Sequence, residues 1–333
     1  MRAEYVLTVG LLGVAVLAWL RSRLMDARGR VVIVTGCDSG IGLETCRLLA
    51  QSHGLCLVAA CLTEAGRAAL LRELAGAPAR VVACVCDVTR PEDIIACVSL
   101  ASSLGRGALH ALINNAGVTG GSFVAWTPVD EYRRVMDGNC FGVVVMTKAA
   151  LRVVGAGRGR VICLSSVTAV EGAATLPTLS AYAASKHALE AFCRCLRAEY
   201  AGSGMRVSTI NPGFTSTALI SGTPLAAERL WSSLDGAHQC AWGAEHARAY
   251  FARARLAVQL VAWPPRAVAR AVTHATLACW PRRRYWPSPD AALFFYPLTF
   301  APDWLVDALL AATVNAFMPR RWHSPQRAVR APD

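Results

Sequence analysis

The chain has 333 residues, of which 54% are hydrophobic and 17% charged, and its formal net charge is +12. This length allows one large α/β domain with appendages or two small domains, and the apolar share excludes a disordered chain. Arginine runs at residues 21–30, 282–284 and 320–321 adjoin apolar segments, and no RNA- or DNA-binding motif accompanies them. We therefore expect contacts with anionic lipid headgroups rather than with nucleic acid.

The cysteines and histidines follow no metal-binding pattern. The thirteen cysteines are scattered, and the closest pairs, Cys84/Cys86 and Cys193/Cys195, match neither a zinc nor a redox spacing. The seven histidines include no His-Glu-x-x-His motif. We therefore predict no metal site and interpret the thiols as buried structural side chains, which favours a reducing compartment.

An uncharged apolar run of sixteen residues, 5–20, stands near the start of the sequence, and Arg21 and Arg23 follow it. A helix that spans a bilayer needs about 20 residues, with a lower limit near 17, and Trp19 and the arginines would anchor the end of this run. No Ala-x-Ala cleavage site follows. We predict a retained membrane anchor over residues 1–24, with an interfacial helix as the alternative.

The next stretch has the pattern of a dinucleotide-binding turn. Residues 31–34 are a continuous β-branched run, typical of a strand buried on both faces. Gly36, Gly40 and Gly42 follow, and residues 43–49 then have helical spacing. Glycines let a backbone approach a pyrophosphate, and a helix N-terminus offers N–H groups and the positive end of its dipole. The spacing differs from the commoner Gly-x-Gly-x-x-Gly.

Strand and helix patterns continue to alternate up to residue 213. We predict strands at residues 55–61, 80–86, 109–113, 160–164 and 206–210, and helices at residues 64–74, 91–104, 131–153 and 181–200. This alternation predicts a parallel sheet with helices on both faces. Polar residues follow several strands directly, and the carboxyl ends of strands are where open α/β sheets bind ligands.

Tyr182 and Lys186 are four residues apart on the last of these helices, so their Cβ atoms lie on one face about 5–6 Å apart. A lysine charge beside a phenol favours the phenolate and lowers its pKa from the usual value near ~10. The pair is therefore a candidate general acid–base near neutral pH. The alternative is an ordinary tyrosine and lysine on an amphipathic helix.

Together these motifs resemble the short-chain dehydrogenase/reductase family over residues 30–215. The matching positions are Thr35-Gly-x-x-x-Gly-x-Gly42, Asp87, Asn114-Asn-Ala-Gly117, Asn139, Ser166, Tyr182-x-x-x-Lys186 and Pro212-Gly213. The resemblance implies an α/β fold, a Rossmann-type doubly wound parallel sheet, in a domain over residues 25–280. The membrane anchor helix precedes this domain, and a C-terminal apolar, membrane-associating extension with a polar tail follows it over residues 281–333.

A finer resemblance extends over nearly the whole chain. Ala59-Ala-Cys-Leu-Thr-Glu64, Pro212-Gly-Phe214 and Arg284-Tyr-x-Pro-Ser-Pro-Asp-Ala291 are similar to the membrane-associated subgroup of that family. The subgroup contains retinol dehydrogenases, 17β- and 3α-hydroxysteroid dehydrogenases and mitochondrial 3-hydroxybutyrate dehydrogenase. For this chain it implies the endoplasmic reticulum membrane. It leaves open a homodimer and the side of the membrane on which the catalytic domain lies.

The family resemblance implies hydride transfer between an alcohol and a nicotinamide. Tyr182 would take the alcohol proton, while Lys186 would lower the tyrosine pKa and hold the nicotinamide ribose. Ser166 would hydrogen-bond the reacting oxygen, with Ser165 as the alternative. Asn139 would hold a water that relays the proton, and a helix kink is its structural alternative.

The resemblance also implies which residues bind the cofactor. They are Gly36, Gly40, Ile41 and Gly42 at the pyrophosphate, Asp87 and Val88 at the adenine, Asn115, Ala116 and Gly117 at the adenosine and nicotinamide sides, and Pro212, Gly213 and Thr217 at the nicotinamide end, together with Tyr182 and Lys186. An arginine after the second strand would bind a 2′-phosphate. The chain has Cys61 and Leu62 there and no basic residue until Arg67, which predicts NAD rather than NADP.

Two segments bear on the substrate. Ser166 and Tyr182 are sixteen residues apart, a longer connection than the family usually shows, and residues 171–178 carry a small insertion. Residues 214–263 have helical character and correspond to the substrate lid of the family. Their aromatic residues suit an apolar ligand or, alternatively, pack against the core. They are Trp231, Trp242, Tyr250 and Phe251.

We therefore expect an anchored, NAD-dependent dehydrogenase that oxidises an apolar alcohol, either retinol or a hydroxysteroid. One alternative is a 3-hydroxybutyrate dehydrogenase, but a small acid substrate would need a cationic group in the pocket, and the sequence assigns none. The other alternative is a catalytically silent lipid-binding relative. The intact set of Asn139, Ser166, Tyr182 and Lys186 argues against it.

Overall fold

The computed structural model of the chain describes residues 13, 16, 18–154, 159–170 and 177–317. Within these ranges one seven-stranded sheet forms, and all neighbouring strands in it are parallel. The strands are Val31–Thr35 (β1), Cys56–Cys61 (β2), Arg80–Val85 (β3), Ala111–Asn114 (β4), Arg160–Leu164 (β5), Arg206–Ile210 (β6) and Arg284–Tyr285 (β7).

The strand order is β3-β2-β1-β4-β5-β6-β7. The chain therefore moves outward from β1 in one direction and then returns to build the other half from β4. In doubly wound sheets a ligand binds outside the carboxyl ends of the strands where the order reverses. For this chain that position lies above β1 and β4.

Helices cover both faces of the sheet. They are Gly40–Ala50 (α1), Glu64–Glu73 (α2), Pro91–Leu104 (α3), Val129–Met136 (α4), Gly142–Leu151 (α5), Ser180–Glu199 (α6), Ala218–Ser221 (α7), Thr223–Ser233 (α8), Gly236–Trp242 (α9), Ala244–Val261 (α10), Pro265–Leu277 (α11), Tyr296–Leu298 (α12) and Asp303–Phe317 (α13). Short 3₁₀ turns lie at Val124–Trp126, Val167–Ala169 and Ala201–Ser203.

The two-residue period of β1 explains why both faces are covered. Successive side chains of a strand point to opposite faces. Val32 and Val34 join the core cluster that contains α1 and α11, whereas Val31 and Ile33 join the cluster that contains α3 and α5. The predicted α/β class, parallel sheet and two helical layers are confirmed, with strand ends shifted by one or two residues.

Two elements differ from the sequence prediction. The single helix expected over residues 131–153 is wrong, because a π-helical turn at Asp137–Phe141 separates α4 from α5. The amide of Gly142 there donates to the carbonyl of Asp137, five residues back. The strand β7 was not predicted, because two residues carry no periodic signal and only their pairing with β6 identifies them.

The two ends of the chain are described only in part. Most of the predicted anchor at residues 1–24 and the polar tail beyond residue 317 lie outside the described residues. In the described part of the chain, no helix has both the length and the apolar character to cross a membrane. After the helical residues 18–22, Leu24 forms an antiparallel bridge with Ala278, just after α11.

Candidate active site

A cavity of about 580 Å³ lies at the carboxyl ends of the central strands. Its walls are the loops that follow β1, β4, β5 and β6, together with the start of α6. Most of the residues predicted from sequence for catalysis or cofactor binding line it. They are Gly36, Gly40, Ile41, Asp87, Val88, Asn115, Ala116, Gly117, Ser166, Tyr182, Lys186, Pro212, Gly213 and Thr217. Gly42 and Asn139 are not in its wall.

The turn after β1 requires glycine at two positions. Gly36 and Gly40 have φ of +69° and +59°, in the left-handed region that side chains with a Cβ disfavour. A Cβ on Gly36 would lie 2.8 Å from the Cα of Ala116, so the turn packs directly on the loop after β4. In this described stretch no side chain caps the N-terminus of α1. A left-handed glycine turn that ends in uncapped N–H groups fits the pyrophosphate of a dinucleotide.

Gly42 lies behind this turn rather than in the cavity wall. A Cβ there would be 2.0 Å from the carbonyl oxygen of Gly36 and 2.6 Å from Nδ2 of Asn115. Gly42 therefore has a packing role, and its predicted contact with the pyrophosphate stays a prediction. The third glycine lets the first turn of α1 approach the loop closely enough to hold its shape.

Two polar side chains join the ends of β1 and β4. The Thr35 hydroxyl accepts hydrogen bonds from the backbone amides of Asn115 and Ala116, both at 3.0 Å. Nδ2 of Asn115 donates to the carbonyls of Thr35 at 2.8 Å and Gly36 at 3.0 Å. The side-chain amide of Asn115, predicted to bind the cofactor, therefore shapes the glycine turn.

Asp38 lines the cavity, and sequence reasoning missed it. Its carboxylate accepts from the backbone amides of Leu62 at 2.6 Å and Thr63 at 3.0 Å, just past the end of β2. Gly66 leaves room for it, since a Cβ at that position would be 2.2 Å from Oδ1 of Asp38. No acid stands directly at the end of β2 in the sequence, because the acid at this position is contributed by the glycine turn, which only the fold brings there.

Ser166 rather than Ser165 is the partner of Tyr182. The Ser166 hydroxyl is nearly buried, accepts from the amide of Thr168 at 3.2 Å and acts to lower the pKa of Tyr182. The buried hydroxyl of Ser165 has no hydrogen-bond partner among the described residues. The start of α6 and the end of β5 thus bring together a serine and a tyrosine that are sixteen residues apart in sequence.

Lys186 is buried beneath the tyrosine ring. Its Nζ donates to the carbonyl of Leu164 at 2.8 Å and lies 5.7 Å from the centroid of the Tyr182 ring. Burial lowers the pKa of Lys186 to about 8. At neutral pH most of this lysine therefore carries its charge.

The expected lowering of the tyrosine pKa is not found. Burial raises the pKa of Tyr182 to about 12, and the hydrogen bond with Ser166 only partly opposes this. The physical reason is that the phenolate is desolvated while the lysine charge is held against a carbonyl on the ring face. At neutral pH Tyr182 is therefore a phenol, and a positive charge brought into the cavity would be needed to make it a better base.

Asn139 lies in the π-helical turn with its side chain fully buried. Its Oδ1 accepts from the amide of Val118 at 2.7 Å, and Nδ2 donates to the carbonyl of Val118 at 2.9 Å and to Oγ of Ser185 at 3.0 Å. The side chain therefore ties the loop after β4 to α6, between the tyrosine and the lysine. Its predicted role in holding a water stays a prediction.

The aromatic residues of the predicted lid face away from the cavity. Trp126 lies 5.0 Å from Trp231 and 5.4 Å from Trp242 between ring centroids, and Phe123 lies 5.2 Å from Tyr250. The alternative interpretation, packing against the core, therefore applies to these side chains. From the lid segment, Phe214, Leu219 and Ile220 line the cavity instead.

Comparison with known proteins identifies relatives of nearly full length. A family profile described as short chain dehydrogenase matches residues 30–225. Human retinol dehydrogenase 5 is 35% identical over 91% of this chain and 95% of its own length. Retinol dehydrogenase 16 of Mus musculus is 32% identical over 87% of this chain and 90% of its own length. The 17-beta-hydroxysteroid dehydrogenase type 6 of Bos taurus is 30% identical over 94% of this chain and 96% of its own length.

Solved structures share the fold. A short-chain dehydrogenase/reductase of Burkholderia phymatum, crystallised with NAD, gives a TM-score of 0.66 at 24% identity and covers 81% of this chain and 92% of its own. The actinorhodin polyketide ketoreductase, crystallised with NADPH, gives a TM-score of 0.59 at 28% identity and covers 81% of this chain and 94% of its own. The two neighbours bind different nicotinamide cofactors, so the likeness supports a nicotinamide without choosing between them.

We expect Gly42→Ala to weaken nicotinamide cofactor binding at least about 10-fold, because the added methyl displaces Gly36 and Asn115 and so distorts the pyrophosphate turn. Isothermal titration of the purified full chain measures this. Gly202→Ala, where an added Cβ meets open space, is the control and should bind like wild type. Equal affinities for Gly42→Ala and wild type would contradict the packing role.

Proposed function

Because the chain belongs to the short-chain dehydrogenase family, we propose that it oxidises an apolar alcohol, either a retinol or a hydroxysteroid, with NAD as the hydride acceptor. One observation carries this proposal: Ser166 and Tyr182 line the wall of one cavity that also contains the glycine turn, and the serine hydroxyl acts to lower the pKa of the tyrosine. A hydroxyl pair beside a dinucleotide site is suited to hold an alcohol oxygen next to a nicotinamide.

The chain's residues would act on the alcohol oxygen and its proton. Ser166 orients the oxygen by a hydrogen bond, and the Tyr182 phenolate accepts the hydroxyl proton as the carbon–oxygen bond becomes a carbonyl. When bound, NAD supplies the carbon that accepts the hydride. Lys186 lies beneath the ring, with its Nζ 5.7 Å from the ring centroid and hydrogen-bonded to the carbonyl of Leu164.

The wall near the tyrosine supports an apolar substrate. Val167, Leu179 and Phe214 lie there, and Leu219 and Ile220 come from the lid segment. The relatives named for retinol and for a 17-beta-hydroxysteroid, at 35% and 30% identity, support the same substrate classes.

A 3-hydroxybutyrate substrate is less well supported, because its carboxylate needs an available cation. Arg134 lines the cavity, but its guanidinium already pairs with Glu131 at 2.8 Å and donates to the carbonyl of Thr119 at 2.9 Å. Lys186 is hydrogen-bonded to a backbone carbonyl beneath the tyrosine.

We expect Tyr182→Phe to lose at least about 100-fold of the alcohol oxidation rate, because it removes the phenol that accepts the proton, while NAD still binds. For wild type, the rate should rise with pH, because the phenolate becomes more populated as pH approaches the raised tyrosine pKa. NADH formation with retinol, a 17β- or 3α-hydroxysteroid and 3-hydroxybutyrate measures both.

Tyr296→Phe, which removes a phenol outside the cavity, is the control and should retain activity. Undiminished turnover by Tyr182→Phe would contradict the mechanism. Turnover of 3-hydroxybutyrate alone would contradict the proposed substrate class, and turnover of none of the alcohols by wild type would favour the catalytically silent relative.

The preference for NAD is supported by the charge at the end of β2. Asp38 places a carboxylate in the cavity wall there, beside Leu62 and Thr63. A 2′-phosphate at the same position would meet this negative charge. The nearby Arg67 is paired with Glu64 at 2.8 Å and is not directed to the cavity wall.

Asp38→Asn keeps one oxygen acceptor for the two amides of Leu62 and Thr63, replaces the other oxygen by an NH2 group and removes the charge. We expect this change to raise the affinity for NADP relative to NAD by about 10-fold, the factor that corresponds to about 1.4 kcal/mol. The ratio of the two dissociation constants for the full chain measures it. The exposed Asp130→Asn is the control, and a wild-type preference for NADP would contradict the assignment.

We also propose that the C-terminal part of the chain contacts a lipid surface. Leu293, Phe294, Phe300 and Trp304, which we call the aromatic surface, are 79%, 54%, 75% and 70% exposed. Large apolar side chains exposed together are typical of interaction sites, and aromatic residues favour the membrane interface. This supports membrane association independently of residues 1–24, whereas the endoplasmic reticulum and a homodimer stay predictions.

Photoactivatable phospholipid in vesicles tests this contact on the full chain. We expect mass spectrometry to find label on the peptide that contains residues 293–304, because the aromatic surface would lie among the acyl chains. Residues 91–104, whose helix α3 packs against β1, β2 and β3, serve as the internal control and should remain unlabelled. Absence of label from 293–304 would contradict the proposal.

A further inference from the structure

The segment that follows β7 lies against the active-site loop after β6. Arg284 and Tyr285 pair with Thr209 and Ile210, and the amide of Asn211 donates to the carbonyl of Tyr285 at 2.9 Å. This register carries residues 286–290 alongside the turn formed by residues 212–214. The turn lines the cavity, whereas Ser288 and Asp290 stand behind it.

Two side chains of this segment accept the consecutive amides of the turn. Oδ2 of Asp290 accepts from the amide of Phe214 at 2.8 Å, and Oγ of Ser288 accepts from the amide of Gly213 at 3.3 Å. A Cβ on Gly213 would lie 2.0 Å from Oδ2 of Asp290, so only glycine allows the carboxylate this close. Gly213 therefore leaves room for the Asp290 side chain on the side of the turn that faces away from the cavity.

Apolar packing strengthens the same connection. Directly after Asp290, a π-helical turn at Ala291–Phe295 buries Ala291 and Phe295. Phe295 lies 6.3 Å from Phe214 between ring centroids and belongs to the cluster that contains Val167, the residue after Ser166. The segment after β7 therefore contacts the loops that carry both the serine and the nicotinamide-facing turn.

The second carboxylate oxygen of Asp290 indicates that this arrangement is not optimised for stability alone. Oδ1 is buried and has no hydrogen-bond partner among the described residues. Such an oxygen is costly, and native structures retain few of them. Asparagine or serine would satisfy the amide of Phe214 without burying a charge. The reason for a carboxylate at this position is therefore to be sought in the active-site turn that it contacts.

We propose that Asp290 is a positioning residue for the cofactor: it fixes the turn at Gly213 and Phe214 in the shape that receives the nicotinamide end. The inference rests on the proposed NAD-linked function. A charge-assisted acceptor holds an amide more firmly than a neutral one. The turn keeps its place in the cavity wall, and the cofactor does not have to order it on binding.

Binding of NAD to the purified full chain tests the proposal without any alcohol. We expect Asp290→Ala to raise the dissociation constant about 10-fold, the effect of losing one hydrogen bond to a charged group. Asp290→Asn keeps an oxygen acceptor but loses the charge, so it should raise the dissociation constant less than the alanine variant does, by about 3-fold. Asp303→Ala removes an exposed carboxylate from α13 and is the matched control, with unchanged affinity.

Each outcome of these affinity measurements either supports or overturns the positioning role of Asp290. An unchanged affinity in Asp290→Ala, with or without a lower melting temperature, overturns the proposal, because a merely structural role would lower stability alone. Equal weakening by the alanine and asparagine variants overturns it as well. If Asp290→Ala does not fold, Ser288→Ala is measured in its place. We expect Ser288→Ala to raise the dissociation constant for NAD, and an unchanged constant overturns the proposal.

Failure of this proposal can be distinguished from failure of the proposed function. A wild-type chain that binds NAD but oxidises neither a retinol nor a hydroxysteroid contradicts the substrate assignment, while the comparison of affinities stands. A wild-type chain that binds NADP but not NAD contradicts the cofactor assignment, and the same variants are then compared with NADP.

Discussion

The hydrogen bonds between the ends of β1 and β4 are the constraint on which the active site depends. Thr35 and Asn115 join the two strands at the point where strand order reverses, and they brace the glycine turn from the side of β4. Each of these bonds serves the backbone. The cradle for a pyrophosphate is therefore a backbone surface, and its shape depends on glycines that let these loops touch.

Desolvation sets the chemistry of this cavity. The same burial that places Lys186 under the tyrosine ring lowers the lysine pKa and raises the tyrosine pKa, so both groups shift towards their neutral forms. In this state the site is better suited to donate a proton than to accept one.

The C-terminal extension is structurally continuous with the site. Its first residues, 284–290, hold the turn after β6, and its next residues pack on Phe214 before the aromatic surface begins. Arg284 adds a polar link, because it pairs with the nearly buried Glu190 at 2.8 Å, and Glu190 in turn accepts from Asn211 at 2.7 Å. A segment expected only to touch a membrane thus also supports the cofactor-facing loop.

The sequence by itself determined the alternation of strands and helices, the glycine turn and the Tyr182/Lys186 pair, because periodicity and short motifs are local signals. Tertiary structure decided what depends on contacts between distant segments. It placed Asp38 at the end of β2, turned the lid aromatics towards Trp126, and set Lys186 against a backbone carbonyl. Burial and hydrogen-bond partners, which fix the charge of a group and the direction of its side chain, are properties of the folded neighbourhood rather than of sequence spacing.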